Sequence, residues 1–105
     1  MRTLLLALAL ARIVAGETPT CGFEAKVAAV QVYRNRQTAG IEGGWFGDAD
    51  PGPDDWLAVR WASQMPDLVD GALFFIGPGD RRRMPWLRER TGRWECAGTW
   101  VESWK

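Results

Sequence analysis

Residues 10–36, LARIVAGETPTCGFEAKVAAVQVYRNR, decide the fold because they join the end of one helical pattern to the whole of a second. The first pattern covers residues 3–16, which are nearly all Leu, Ala, Ile and Val, with Arg12 as the one charged side chain. Such a segment predicts a helix that is apolar on almost every side and is buried in a core. The Gly-Glu-Thr-Pro sequence that follows predicts its end, so Glu17 comes directly after the last helical turn.

The second helical pattern covers residues 23–37. It contains an apolar stripe made of small side chains, and the charged side chains are expected on other faces of the helix. The stripe consists of Ala25, Ala28, Ala29 and Val32, and the charged residues are Lys26, Arg34 and Arg36. Because alanines allow close approach, we expect the first two helices to pack against each other.

Glycine and proline punctuate residues 40–53 and predict a long loop that carries Trp45 and Phe46. Exposed aromatic residues on such a loop are common ligand contacts. A third helix is predicted to begin at Asp54 or Asp55 and to end before the next proline. Large aromatic side chains dominate the cores of small domains, so three tryptophans are expected inside: Trp56, Trp61 and Trp94.

Beyond the third helix the pattern changes from helical to extended. Residues 72–76 form a short apolar run between glycines, which predicts a buried strand. Residues 93–96 and 99–104 lie on either side of Ala97-Gly98 and predict a β-hairpin. Helices followed by a small antiparallel sheet describe an α+β fold, and 105 residues are enough for one domain, residues 1–105.

The charge of the chain is balanced, with 13 basic and 13 acidic residues. No overall field therefore favours nucleic acid, and none is expected as a partner. One local basic patch is an ordinary solvated face or a contact for a polyanionic partner such as a cell-wall polymer. The patch consists of Arg81, Arg82, Arg83, Arg88, Arg90 and Arg93.

The apolar run at residues 4–10 is shorter than the roughly 20 residues that span a bilayer, so no transmembrane segment is expected. The same run is similar to the apolar region of a secretory signal. If it were cleaved, a small secreted, tryptophan-rich β fragment would remain. The other interpretation keeps it as the first helix of the domain.

Cys21 and Cys96 lack the spacing of metal ligands, and the sequence has no histidine, so neither a metal nor a cofactor is expected. The two cysteines form either a disulfide or two separate buried thiols. Without histidine there is no Ser-His or Cys-His nucleophile pair, which leaves carboxylate chemistry. Glu17 is the leading candidate, because the negative end of a helix dipole disfavours its ionised form and suits a general acid.

The opening segment also resembles the N-terminal motif of the spore cortex-lytic (SleB-like) cell-wall hydrolases, a branch of the lysozyme-like, lytic-transglycosylase superfamily. In that family a helix ends on a catalytic glutamate, and a second acidic residue follows seven positions later. A helix of small apolar residues then closes on Asn-Arg. This chain supplies Glu17, Glu24 and Asn35-Arg36 at that spacing.

The resemblance continues at residues 67–75, which are similar to the family's Asp-Pro-Thr-x-Gly-Ala-aromatic segment, and at the closing strands. It implies a lysozyme-like fold, with Glu17 cleaving the β-1,4 bond between N-acetylmuramic acid and N-acetylglucosamine in peptidoglycan. The substrate contacts that it implies are Glu24, Asn35, Trp45, Phe46 and Phe75. Two of these also have structural interpretations: Glu24 suits the start of a helix, and Asn35 suits a helix C-terminal cap.

The chain departs from the family directly after Glu17, where Thr-Pro-Thr-Cys at residues 18–21 replaces the usual Ala-Arg-Gly-Glu. The family's Gln-Phe-Ser before the third helix is replaced by Trp-Phe-Gly, and the histidines of its closing strands are missing. Lytic transglycosylases manage with one carboxylate, which makes this reaction the expected one. For a hydrolase, the candidates for the second acid are Asp48 and Asp50.

Three further expectations complete the prediction. The chain is expected to be a monomer that contacts peptidoglycan glycan strands. It is expected in the cell envelope or outside the cell, or as a phage product that acts on the host wall. The alternative function is a non-catalytic module of the same fold that binds peptidoglycan or a partner protein.

Overall fold

The computed structural model describes residues 2–43 and 47–105, with side chains described from Leu6 onward. Helices come first and a three-stranded antiparallel sheet follows, so the predicted α+β fold is confirmed. The elements are α1 (Arg2–Glu17), α2 (Phe23–Thr38), α3 (Pro53–Trp61), β1 (Phe74–Ile76), α4 (Asp80–Arg83), β2 (Arg90–Cys96) and β3 (Thr99–Trp104).

The ends of the helices follow local rules. Gly22 precedes α2, and Glu24 lies in its first turn, where an acidic side chain complements the helix dipole. Pro53 occupies the first turn of α3, where its missing N–H costs nothing. The carboxylate of Asp55 accepts a hydrogen bond from the Gly52 amide at 2.8 Å and so closes the start of α3. The third helix is shorter than predicted and continues as a single 3-10 turn, Ala62–Gln64.

The sheet has the strand order β1-β3-β2. The predicted hairpin is present, with Cys96 opposite Thr99 and Gly98 at a φ of 75°, a conformation that glycine adopts without strain. Its first strand begins at Arg90 rather than at residue 93, and β1 is limited to three residues. The short α4 was not predicted; the Asp80 side chain accepts a hydrogen bond from the Gly77 amide at 2.9 Å and so begins it.

Among the described residues, buried apolar side chains form two small clusters. The first lies between the three main helices, and the second lies between α2 and the sheet. The first contains Leu10, Ala11, Val14, Val27, Val30, Ala58, Val59 and Ala62. The second contains Ala28, Val32, Val69 and Ala72, with Phe75 and Trp94 packed against it. Both clusters are built mainly from valine and alanine, so the helices approach one another closely.

The prediction that the first helix is buried on nearly every side is wrong for its early turns, where Leu6 is 59% exposed and Leu8 is 40% exposed. The expected burial of Trp56 and Trp61 is also wrong, since both lie on the outer face of α3 with about two-fifths of their surface exposed, 41% and 39%. The short α3 presents one narrow stripe to the core, and small side chains fill it. Within the described part of the chain, no helix combines the length and apolar character that a membrane crossing requires.

Candidate active site

Glu17 is the last residue of α1 and is half-buried. Its Oε1 accepts a hydrogen bond from the Gly47 amide at 2.9 Å. Gly47 lies so close to α1 that an added Cβ would come within 2.7 Å of Glu17 Cγ and 2.8 Å of the Ile13 carbonyl oxygen. Gly16 is just as close from the helix side, where an added Cβ would overlap the amide of Asp48. The two glycines let the loop cross the last turn of α1 and hold the carboxylate in place.

The loop that contacts Glu17 is anchored by Arg12, one helical turn earlier. The Arg12 guanidinium pairs with Asp48 at 2.7 Å and with Asp50 at 3.0 Å, and the Ala49 amide donates to the Arg12 carbonyl at 3.2 Å. The hydrogen bond to Asp48 and, to a smaller extent, the hydrogen bond to Asp50 raise the pKa of Arg12. Both carboxylates therefore anchor the loop to α1. That one of them serves as a second acid beside Glu17 stays a prediction.

A buried polar network that sequence reasoning missed lies directly after Glu17. The Lys26 ammonium donates to the Thr18 carbonyl at 2.7 Å and pairs with Asp55 Oδ1 at 2.6 Å. Lys26 and Asp55 are each 6% exposed, and Thr18 is fully buried, with its hydroxyl bonded to the Val14 carbonyl at 2.6 Å. This network joins the end of α1 to α2 and to the start of α3.

The prediction that Lys26 lies away from the apolar stripe is wrong. Every residue from Ala25 to Val30 is buried, and Lys26 is the only charged one among them. A lone lysine inside such an apolar run is a signal that the sequence contained. Its partner, Asp55, lies 29 positions away and could not be identified by spacing.

Cys21 and Cys96 form a disulfide across 75 positions of the chain, which decides between the two alternatives that the sequence left open. Next to it, the Ala97 amide donates to the Thr20 carbonyl at 3.1 Å. The segment that follows Glu17 is thus tied to the turn of the β-hairpin. Thr18, Thr20 and Cys21, which depart from the family motif, each have a structural role here.

Glu24 and Phe75 meet through Trp94. The indole Nε1 of Trp94 donates to Glu24 Oε1 at 3.1 Å, and the rings of Phe75 and Trp94 lie 6.3 Å apart. Glu24 is exposed, while both rings are half-buried and pack on the second core cluster. The structure therefore brings together two predicted substrate contacts, and the residue that joins them was expected only in the core.

Asn35 and Arg36 fix the backbone that leads into β1. The Asn35 side chain donates to the Ala72 carbonyl at 3.0 Å, so it does not cap its own helix. Arg36 is 9% exposed and donates to the Leu73 and Gly43 carbonyls, both at 2.9 Å. Desolvation by burial lowers the pKa of Arg36. The prediction that Arg36 lies away from the buried face is therefore wrong, and the Asn-Arg pair acts as a clamp between α2 and the strand.

A cavity of about 360 Å³ lies beside Arg36, lined by Tyr33, Gln37, Ile41 and Glu42 among others. The loop from its edge leads to Trp45 and Phe46, which lie outside the described residues. In the described ranges, 2–43 and 47–105, no group of three or more His, Cys, Asp or Glu side chains is placed to hold a metal ion.

Comparison of the chain with protein-family models, curated proteins and solved structures gives no match. The resemblance to spore cortex-lytic hydrolases therefore stays a prediction that depends on the motif residues themselves. Glu17, Glu24 and the Asn35-Arg36 pair are the residues on which it depends.

Proposed function

We propose that this chain is a peptidoglycan-cleaving glycosidase that acts as a lytic transglycosylase on the bond between N-acetylmuramic acid and N-acetylglucosamine. The observation that carries the proposal is the setting of Glu17. Its carboxylate is half-buried at the end of a helix and is fixed by the Gly47 amide at 2.9 Å. A positioned carboxylate of this kind is what general acid catalysis needs.

In the proposed reaction, Glu17 donates its proton to the glycosidic oxygen as the bond to C1 of the muramyl residue breaks. The C6 hydroxyl of the same residue attacks C1, and the Glu17 carboxylate accepts the proton of that hydroxyl. The product carries a 1,6-anhydro ring, and the glutamate returns to its protonated form. No water molecule is consumed, which distinguishes the reaction from hydrolysis.

The other acidic side chains near Glu17 already have partners within the fold, which supports transglycosylation over hydrolysis. Hydrolytic glycosidases place a second carboxylate at about 5–5.5 Å or about 6.5–9.5 Å from the acid. Asp48 and Asp50 are paired with Arg12, and Glu24 accepts the indole N–H of Trp94. A mechanism that needs one carboxylate fits these contacts better than a mechanism that needs two.

The disulfide between Cys21 and Cys96 supports a location where cysteines oxidise. Disulfides form and persist in secreted and envelope proteins and are rare in reducing cytosol. The proposed location is therefore the cell envelope or the exterior of the cell, as for a secreted enzyme or a phage product that reaches the host wall.

One observation favours a second function, a non-catalytic module that binds peptidoglycan or a partner protein. Gly47 packs against both the backbone and the side chain of Glu17, so the glutamate also has a structural task in holding the loop. Because this structural role does not require catalysis, the same glutamate would fit a protein that binds glycan without cleaving it.

The test is digestion of purified sacculi, with the released muropeptides identified by mass spectrometry. The wild-type protein is compared with Glu17→Gln and with a matched control, Glu89→Gln. The control also converts a glutamate to its amide, at an exposed position that is not among the predicted site residues. Thermal melting of each variant verifies that it is folded.

We expect 1,6-anhydro muropeptides from the wild type and from the control, and none from Glu17→Gln. Products with reducing ends would show a hydrolase instead. Binding to sacculi in a pelleting assay, with no product from the wild type, would establish the non-catalytic module and refute the enzyme.

A further inference from the structure

Positive charge is concentrated in one short segment of the chain. Residues 80–94 contain six arginines against Asp80 and Glu89, a net charge of +4. Because the whole chain is neutral, the remaining residues carry a net charge of −4. The protein therefore has a strong local field of one sign without an overall charge.

Three of the six arginines are used within the fold. Arg90 and Arg93 pair with Glu102 at 3.0 and 3.2 Å, and Arg81 stacks on Trp104 at 4.7 Å. Burial acts to raise the pKa of Glu102, but hydrogen bonds from Trp104, Arg90 and Arg93 outweigh it and hold the pKa below its ordinary value. These arginines stabilise the outer face of the sheet.

The other three arginines are exposed and have no ion pair in the described part of the chain: Arg82, Arg83 and Arg88. Trp86 lies between them in sequence and is 59% exposed. We call these four residues the arginine–tryptophan turn. They place an exposed aromatic ring beside unpaired positive charge, a combination that suits a partner with both apolar faces and negative charge.

Hydrogen bonds hold the backbone of the arginine–tryptophan turn around Trp86. The Leu87 amide donates to the Met84 carbonyl at 3.2 Å and closes a tight turn around Trp86. The Arg81 guanidinium braces both ends by donating to the Met84 carbonyl at 2.9 Å and to the Leu87 carbonyl at 3.0 Å. Leu87 itself is only 2% exposed and anchors the turn in the fold. The backbone around Trp86 is therefore already in place before a partner binds, which limits the backbone entropy lost on binding.

We propose that the arginine–tryptophan turn binds an acidic polysaccharide. A sugar ring stacks on the indole of Trp86, and carboxylates of neighbouring sugars pair with the guanidinium groups of Arg82, Arg83 and Arg88. Guanidinium matches the planar geometry of a carboxylate and makes paired hydrogen bonds to it. The surface uses none of the residues around Glu17 and requires no bond cleavage.

The charge distribution favours this partner over two others. A nucleic acid draws its affinity from many phosphate contacts along a basic stripe, whereas here the arginines are confined to one short segment, residues 80–94. A membrane surface would need a broad apolar face, whereas the turn offers a single tryptophan among three cations. A polysaccharide combines flat apolar sugar faces with spaced carboxylates, which matches one indole flanked by guanidinium groups.

Binding is measured by calorimetry with polygalacturonate and with its fully methyl-esterified form, which keeps the sugars and removes the charge. The wild type is expected to bind polygalacturonate, with an affinity that falls as salt is raised. Each exposed guanidinium contributes about threefold, so the triple variant Arg82→Gln/Arg83→Gln/Arg88→Gln should bind roughly 30-fold more weakly. Trp86→Ala should weaken binding by about tenfold, as expected for an aromatic anchor.

The chain offers a matched control on α3, where the Arg60 guanidinium lies 5.4 Å from the ring centre of the exposed Trp61. The variants Arg60→Gln and Trp61→Ala remove the same groups elsewhere and should bind like the wild type. Glu17→Gln should also bind fully, which separates this proposal from the proposed cleavage. Circular dichroism verifies that all variants are folded.

Four results would overturn the proposal. They are equal binding of the esterified polymer, wild-type affinity in the patch variants, loss of affinity in the α3 controls, and loss of binding in Glu17→Gln. Preferential binding of a deoxythymidine oligonucleotide or of phosphatidylglycerol vesicles, abolished by the patch variants, would assign the surface to nucleic acid or to membrane instead.

Discussion

Replacing Lys26 with methionine tests how the end of α1 is held. Methionine keeps the length and apolar stem of lysine but removes the ammonium that pairs with Asp55 at 2.6 Å and bonds to the Thr18 carbonyl at 2.7 Å. The Asp55 carboxylate, in a residue that is 6% exposed, would keep the Gly52 amide as its remaining hydrogen-bond donor. The Asp55 carboxylate would then be a buried charge without a counter-ion.

Removing one partner of a buried ion pair typically costs about 3–5 kcal/mol in the free energy of unfolding. Small domains have only about 5–15 kcal/mol in total, so Lys26→Met should be close to unfolding. For a chain of this length the melting temperature should fall by roughly 15 °C or more. Urea unfolding followed by tryptophan fluorescence, with the disulfide intact, measures the change directly.

The double variant Lys26→Met/Asp55→Asn makes the prediction specific. Asparagine keeps an oxygen for the Gly52 amide and carries no charge, so the double variant should be more stable than Lys26→Met alone. As a control, the same double-mutant cycle is measured for the exposed ion pair between Lys105 and Asp70. Their charged atoms lie 3.0 Å apart, and the side chains are 43% and 75% exposed. Its coupling energy should be about 1 kcal/mol or less.

A loss of less than about 1 kcal/mol in Lys26→Met, or equal coupling energies in the buried and exposed pairs, would contradict this expectation. Either result would mean that the buried polar network after Glu17 does not contribute to stability as a unit.

Three further perturbations test other contacts. Gly47→Ala should cost about 1–3 kcal/mol by pushing the loop off α1, whereas Gly22→Ala, which meets nothing within 4 Å, should cost far less in the same urea titration. Glu102→Gln should lower the free energy of unfolding at neutral pH. Because the native pKa of Glu102 is lowered, the stability difference between wild type and variant should shrink as pH falls below the ordinary pKa of about 4.3. A stability difference that stays constant down to pH 2 would contradict the lowered pKa. Replacing Cys21 and Cys96 with serine opens a loop of 75 positions and should cost about 4 kcal/mol, and an unchanged melting temperature would show that the disulfide does not stabilise the fold.

The sequence predicted the elements whose signals are local. Residues 3–16 and 23–37 are helical as expected, and Ala97-Gly98 turns the hairpin. What it could not predict are contacts between distant positions. Hydrophobicity alone placed Lys26 and Arg36 at the surface, because their partners lie 29 and 37 positions away. It also placed Trp56 inside, although valine and alanine already fill the space behind α3.

The same distinction between local signals and contacts across distant positions applies to the candidate site. Glu17 could be predicted as a candidate because it comes directly after the helical pattern of residues 3–16 in the sequence. Its hydrogen bond to Gly47 spans 30 positions and depends on two glycines that allow close backbone approach. Trp94 was expected only in the core, but its indole also bonds to Glu24 across 70 positions and its ring packs near Phe75.

The position of Glu17 depends on polar and covalent links as well as on the apolar packing of Leu10, Ala11 and Val14. Leu6 and Leu8 of α1 are exposed, so the core does not cover these positions of the helix. Its last turn, in contrast, is fixed by Gly47 from the loop, by Lys26 through the Thr18 carbonyl, and by the disulfide at Cys21. Because such links are directional, they fix a carboxylate more closely than contacts between small apolar side chains would. Thr18 and Cys21, which differ from the spore cortex-lytic motif that the segment resembles, are therefore part of what holds the glutamate.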